Sequence, residues 1–249
     1  MNLKIGASLN FSQNLSSELR IFKCLGYDYA ELSATLSLPI RLYEKKLKKI
    51  CNQFPILTLH LPQIDYKDNE IELCKKLIEI SVNYSIALFI IHLYSINLPT
   101  SNNLEQKINA LQDLADFAKS KNIILALENT EENVKILKPV FEAIPTISFC
   151  LDIGHANLFT ENQSVNFIQH FGKRLQHIHV HDNLGGDHSD PEKYDIHLPV
   201  GEGNIQFKPI FEKLKEIYYS GNITIENTYK PRLEEREISI KRIRSLLNE

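Results

Sequence analysis

The 249-residue chain is 43% hydrophobic and 24% charged, an ordinary composition for one globular domain or two small ones. Its formal net charge of −3 gives no global pull toward nucleic acid or an anionic membrane, although a local basic patch would not show in that sum. Ile86 to Ile91, the longest apolar run, is far too short to span a bilayer.

In chain order, β-type apolar runs alternate with helical ones eight times. The strand candidates are Leu3–Ser8, Tyr27–Leu32, Ile56–Leu61, Ala87–Leu93, Ile123–Glu128, Ile147–Leu151, Leu175–His181 and Ile223–Glu226. They are almost continuously apolar, as strands covered on both faces should be. Between them, Asn103–Lys121 is the clearest helix, with Leu104, Ile108, Leu111, Leu114, Ala115 and Ala118 on one side. Thr130 followed by Glu131, Glu132 and Asn133 reads as another helix start, with acids in the first turn.

Strand–helix alternation implies parallel strands joined by helical crossovers. Eight such units in a chain of this length, with no linker-like segment, predict a single (β/α)₈ TIM barrel over residues 1–249. Two connections are longer than the rest, Leu61–Glu70 and Asp182–Gln206, and both leave the C-terminal ends of strands, where barrel active sites are built.

Ligand-type residues recur at those same ends. His60, His92, Glu128, Asp152, His179 and Glu226 each close a strand run, and His155, Asp195 and His197 follow in loops. Imidazole with carboxylate suits Zn²⁺, Mn²⁺, Co²⁺ or Fe²⁺. Three carboxylates at one mouth repel unless a cation lies between them, so the pattern predicts a divalent-metal site.

Other residues carry less. Glu31, at the end of the second strand, reads equally as a substrate contact or a structural pair. His181 and Asp182 read as substrate contacts or as supports for a metal-bound histidine. His177, one layer deeper than His179, reads as a core histidine, and His170 as solvated. The loop residue His188 is assigned no role. The C-terminal Lys241, Arg242 and Arg244 read as a solvated helix face. Gly201-Glu202-Gly203 fits no phosphate-binding pattern, and no Gly-x-Ser-x-Gly motif is present. The scattered cysteines Cys24, Cys51, Cys74 and Cys150 read as reduced packing thiols, three in helices and one in a strand. With no long apolar N-terminal segment, a cytoplasmic protein is expected.

Five motifs carry a family resemblance. They are His60-Leu61-Pro62, Leu127-Glu128-Asn129-Thr130, Leu151-Asp152-Ile153-Gly154-His155-Ala156-Asn157, His179-Val180-His181-Asp182-Asn183, and Asp195 through Asn204. Together they resemble the xylose isomerase-like TIM barrel superfamily, which holds sugar and sugar-phosphate isomerases and epimerases and also the endonuclease IV class.

Resemblance to the epimerases implies that Glu128, Asp152, His179 and Glu226 hold one dication. Glu128 and Glu226 would then exchange protons beside a metal-polarised carbonyl, and His155 would orient a substrate hydroxyl. Leu184-Gly185-Gly186 stand where those enzymes often carry an arginine.

Resemblance to endonuclease IV implies three zinc ions and a phosphodiester substrate. His60, His92 and Glu128 would hold the first; Glu128 would bridge to the second on Asp152, His179 and Glu226; His155, Asp195 and His197 would hold the third. Here the surroundings differ: Ile196 replaces an arginine, Leu93-Tyr94 replaces Pro-Gly, and the loop after His60 is short and weakly charged.

The expectation is therefore a metal-dependent sugar or sugar-phosphate isomerase or epimerase using one to three zinc, manganese or cobalt ions. An abasic-site endonuclease is the alternative, with nucleic acid a partner only there. A non-catalytic metal-dependent sugar-binding barrel is the third reading. Helix faces would support pairing of two copies.

Overall fold

The computed structural model describes residues 3–11, 14–94, 103–159, 163–186, 191–226 and 232–248. Eight strands run β1 (Ile5–Asn10), β2 (Tyr29–Ser33), β3 (Ile56–His60), β4 (Leu88–His92), β5 (Ile124–Glu128), β6 (Ser148–Asp152), β7 (Leu175–Val180) and β8 (Asn222–Ile225). Each pairs in parallel with the next, and β8 closes on β1 through Ile5, Gly6 and Ala7. Helices α1 (Leu15–Leu25), α2 (Ile40–Cys51), α3 (Asp68–Val82), α4 (Leu104–Ser120) and α5 (Val134–Ala143) make the first crossovers. The later ones use α6 (Ile153–Phe159) with α7 (Ser164–Phe171), then α8 (Pro191–Tyr194) with α9 (Phe207–Glu216), and α10 (Leu233–Asn248) follows β8. The single TIM barrel expected from the alternation is the fold.

The main core is the annulus between strands and helices. Outward strand residues such as Leu9, Leu32, Leu59, Phe89, Leu125, Phe149, Ile178 and Ile223 are buried there. They meet helix residues such as Phe22, Leu47, Ile78, Leu111, Val140, Phe167 and Ile210. Inside the barrel a small apolar cluster of Leu88, Ile90, Ala126 and Cys150 lies beneath the mouth. Much of the remaining interior is polar: Glu31, Thr58, His177 and Thr224 are fully buried. The strands are thus less uniformly apolar than their sequences suggested. Gly6 leaves room for the interior ring of Tyr29, since a Cβ there would lie 2.4 Å from it.

Local starts follow their capping chemistry. Helix α4 begins where Asn103 accepts from the Gln106 N–H, and the Gln106 side chain accepts in return from Asn103 N–H. The start expected at Thr130 moves to Val134, with Asn133 as the cap. The Thr130 N–H and hydroxyl instead donate to the Glu132 carboxylate, which closes a turn before the helix. Strand β1 is shifted two residues later than expected, because Leu9 joins the outer core and Asn10 still pairs with Ser33. Among the described residues no helix is long and apolar enough to cross a membrane.

A histidine and carboxylate cluster at the barrel mouth

All nine expected metal-ligand candidates converge at the C-terminal mouth, in three adjoining groups. In the first, His60 and His92 end β3 and β4. Their Nε2 atoms lie 3.0 Å apart, and 3.1 and 3.2 Å from Glu128 Oε2. His60 Nδ1–H donates to the Leu61 carbonyl at 2.8 Å, so a neutral ring presents its Nε2 lone pair to the same point.

The second group surrounds His179. Its Nδ1 lies 3.2 Å from Glu128 Oε1, 3.2 Å from Glu226 Oε1 and 3.9 Å from Asp152 Oδ2. The other ring nitrogen lies 2.9 Å from Glu31 Oε1. Asp152 is fixed from behind: its backbone N–H and C=O both bond the Asn129 side-chain amide at 2.9 Å.

The third group is built by the loop after β7. His155 Nε2 lies 3.5 Å from Asp195 Oδ2, and His197 Nε2 lies 3.2 Å from Asp195 Oδ1. His181 belongs here as well; its ring stacks on His197 at 3.7 Å and 4°. Its Nε2 lies 3.3 Å from Asp152 Oδ1. His155, His181, Asp195 and His197 offer ligand atoms within 4.8 Å of one another.

The electrostatics follow from this crowding. Burial works against the ionised form of Glu128, yet the adjacent imidazoles of His179, His92 and His155 hold it well below the usual carboxylate range. Burial likewise opposes charging His155 and His179, but the facing carboxylates push both well above the usual histidine value. His92 goes the other way, lowered by burial. Asp195 is held well below its ordinary range by His155 and His197 despite its burial.

Among the described residues, His179 Nδ1, Asp152 Oδ2, Asp195 Oδ1, His197 Nδ1 and both His181 ring nitrogens are buried without a hydrogen bond. Unsatisfied donors and lone pairs of this number are costly unless something binds them. Oxygen and nitrogen donors without thiolate suit a borderline dication, so the residues fit one.

Glu31, His181 and Asp182 were each open to two readings, and their full burial removes the substrate contact and leaves the structural support. Glu31 is fully buried: it accepts from Thr58 Oγ1 at 2.7 Å and Thr224 Oγ1 at 2.9 Å, below the rim. Asp182 is also fully buried and accepts from the N–H groups of Asn183, Gly201 and Ile205, which shapes the loop. His181 is sealed between Gly154 and His197; a Cβ on Gly154 would lie 2.1 Å from its ring. His177 is a buried core histidine, 2.9 Å from Thr224 Oγ1 and 3.0 Å from Glu31 Oε2. His170 is exposed, as expected. His188 lies outside the described residues. Of the cysteines, Cys74 and Cys150 are buried but Cys24 is exposed, so it is not a packing thiol.

Asn129 and Thr224 were not singled out from the sequence, although both support the site. Asn129 follows a ligand directly within a quoted motif, which was a usable signal. Thr224 looks like any strand threonine.

A cavity of about 500 Å³ opens beside the cluster, lined by Asn10, Ser33, Thr35, Gln63, His60 and Glu226 among others. None of its described lining residues is Lys or Arg.

Residues 19–246 match the family model of the xylose isomerase-like TIM barrel. The chain belongs to this family. An uncharacterized protein of Methanocaldococcus jannaschii is 34% identical over 164 residues, 60% of this chain and 52% of that protein. The L-ribulose 3-epimerase of a Methylomonas species is 28% identical over 134 residues, 50% of this chain and 42% of that enzyme. The chain spans about half the length of these two curated relatives. Within the xylose isomerase-like barrels, the crystal structure of a D-tagatose 3-epimerase-like protein superposes with TM-score 0.78 at 26% identity. It covers 99% of this chain and 98% of its own.

Proposed function

We propose that this barrel is a divalent-metal-dependent isomerase or epimerase of a sugar or sugar phosphate. The observation that carries the reading is the pair of carboxylates flanking His179: Glu128 and Glu226 each place an oxygen 3.2 Å from the same Nδ1. Two carboxylates around one point can serve opposite faces of a substrate carbon. The similarity to a D-tagatose 3-epimerase-like protein along nearly the whole chain supports it.

Glu128, Asp152, His179 and Glu226 would hold the ion. When bound, a dication polarises the substrate carbonyl and stabilises the charge that develops on its oxygen. Glu226 is the more open carboxylate, with 17% of its side chain exposed against 1% for Glu128, and its side chain lines the cavity. Glu128, held as a carboxylate by the imidazoles around it, takes the proton from the carbon beside the carbonyl. Glu226, which reaches the cavity, returns a proton drawn from solvent on the other face, and Glu128 releases its own proton to solvent before the next turnover. His155 orients a hydroxyl, and the amide and hydroxyl groups of Asn10, Ser33, Thr35 and Gln63 suit a polyol.

The test is solvent deuterium incorporation beside the carbonyl across a panel of ketoses and ketose phosphates, with Mn²⁺, Co²⁺ and Zn²⁺ each supplied. Exchange that Glu128→Gln removes is the expected result. Absence of exchange throughout the panel overturns the reading.

A second reading rests on the completeness of the other two groups, His60–His92–Glu128 and His155–Asp195–His197, which a one-metal isomerase does not require. They favour a multinuclear phosphodiesterase. Incision of a duplex carrying one abasic site, abolished by His197→Ala, is its test.

A further inference from the structure

The proposed ion would be held by His179 Nδ1, and the other nitrogen of that ring points down into the barrel toward Glu31. What lies there is a closed polar layer: Glu31, Thr58, His177, Thr224 and the Tyr29 hydroxyl, each buried. Glu31 is its centre. Oε2 accepts from Thr58 Oγ1 at 2.7 Å and Thr224 Oγ1 at 2.9 Å and lies 3.0 Å from His177 Nε2. The remaining oxygen, Oε1, lies 2.9 Å from His179 Nε2, within ion-pair distance though not aligned as a hydrogen bond, and neither atom has a hydrogen-bond partner elsewhere. The Tyr29 hydroxyl, 2.8 Å from Thr224 Oγ1, braces the layer from β2.

Here we propose that Glu31 is a positioning residue for the metal site. It fixes His179 with the proton on Nε2, so that the Nδ1 lone pair is aimed at the point shared by Glu128, Asp152 and Glu226. This inference rests on the metal-dependent reading above.

Three observations carry it. First, Glu31 has no access to substrate, and its register explains why: Glu31 pairs with Thr58 in β3, while Ser33 pairs with His60. It therefore lies one inward layer below the ligand ring. Second, two threonine hydroxyls and His177 take up one carboxylate oxygen and leave the other for His179 alone. A carboxylate so held cannot swing away, and an imidazole facing it has one favourable orientation. Third, burying a carboxylate is costly, and Glu31 is nevertheless fully buried, with Thr58, Thr224, His177 and His179 gathered around its two oxygens. A carboxylate whose only task was packing would be more simply replaced by an apolar side chain.

The test uses Glu31→Gln, which keeps shape and removes the charge. Apo-protein is titrated with Zn²⁺ against a chromogenic chelator, and Co²⁺-loaded protein is read by its visible spectrum and by the exchangeable ring N–H proton of the bound histidine. The expected result is metal affinity lower by about 10–100-fold, the size of effect typical when a histidine ligand loses its orienting partner. The ring N–H signal is expected to be lost to solvent exchange. Wild-type affinity with an unchanged N–H signal in folded Glu31→Gln overturns the proposal.

If that variant does not fold, Thr58→Val removes one donor from Glu31 at nearly constant volume. An affinity loss of about threefold is then expected, the scale of one hydrogen bond. An unchanged affinity and spectrum in folded Thr58→Val overturns the proposal equally. Failure of the wild-type protein to bind any dication is a separate outcome: it removes the metal-dependent reading, and the positioning role with it.

Discussion

Replacing Gly154 with alanine sets two physical effects against each other. Gly154 lies in the first turn of α6 with no unusual backbone requirement, so helix propensity alone favours alanine by about 0.5–1 kcal/mol. Packing says otherwise. A Cβ would stand 2.1 Å from His181 Cε1 and Nε2, where ordinary contact is ~3.5 Å, so the ring would have to retreat by about 1.4 Å. It has nowhere to go: His181 is fully buried and its opposite face is stacked on His197 at 3.7 Å. Overpacking of this kind costs about 1–3 kcal/mol and outweighs the propensity gain. The net expectation is a loss of about 1–2 kcal/mol, or a Tm lower by about 3–6 °C for a chain of this length. Calorimetry on metal-free protein is the appropriate assay, since bound metal adds its own linked stability. A Tm equal to or above wild type would show that the His181 ring is not fixed, and the account of the third ligand group would fall with it.

Glu128→Gln should leave a folded barrel but reduce solvent-hydrogen exchange into substrate by at least about 10²-fold, because one carboxylate serves two ligand groups; full turnover in the variant would refute the placement of the site. His197→Ala should weaken an isomerase only modestly through its loop, whereas a phosphodiesterase needing the third group would lose activity outright, so parallel exchange and incision assays separate the readings. Glu132 supplies a pH effect. Burial raises its carboxyl to about 7, so its protonated form favours the fold. That contribution is whole below the unfolded value near 4.5 and is lost as pH rises through 7. Glu132→Gln keeps an acceptor for the Thr130 N–H and hydroxyl, and should flatten the fall in stability between pH 5 and 8 by about 1–3 kcal/mol. Denaturant midpoints at the two pH values measure this, and parallel pH curves for the two proteins would contradict it.

The eight-fold alternation was legible because parallel barrel strands need apolar outer faces, and a ligand-type residue ending such a run shows clearly against them. Depth was not legible. Strand parity gives the direction of Glu31 but not its layer; ending β2 at Leu32 put it at the rim, whereas the strand continues to Ser33 and places it one layer down. Asp182 misled for a related reason, since a carboxylate beside a metal-binding strand looks like a contact until the loop amides that enclose it are seen. The helix start at Thr130 failed because Glu132 competes for the N–H and hydroxyl that a cap would otherwise use. The fourth member of the third group, His181, could be read only once its ring was seen against His197.

The ligands of the mouth come from β3, β4, β5, β6, β7, the first turn of α6, the loop after β7 and the residue following β8, while β1 and β2 give none. Glu128, Asp152, His179 and Glu226 lie on or directly after four strands paired in sequence, β5 to β8, so one half of the barrel carries that donor set by itself. His60 and His92 come from the other half and meet Glu128 only across the β4–β5 pairing. The two donor groups thus report different stages of assembly. In a refolding experiment, stoichiometric uptake by the His179 group should precede closure of β8 on β1, while the His60–His92–Glu128 group should form only when the two halves join.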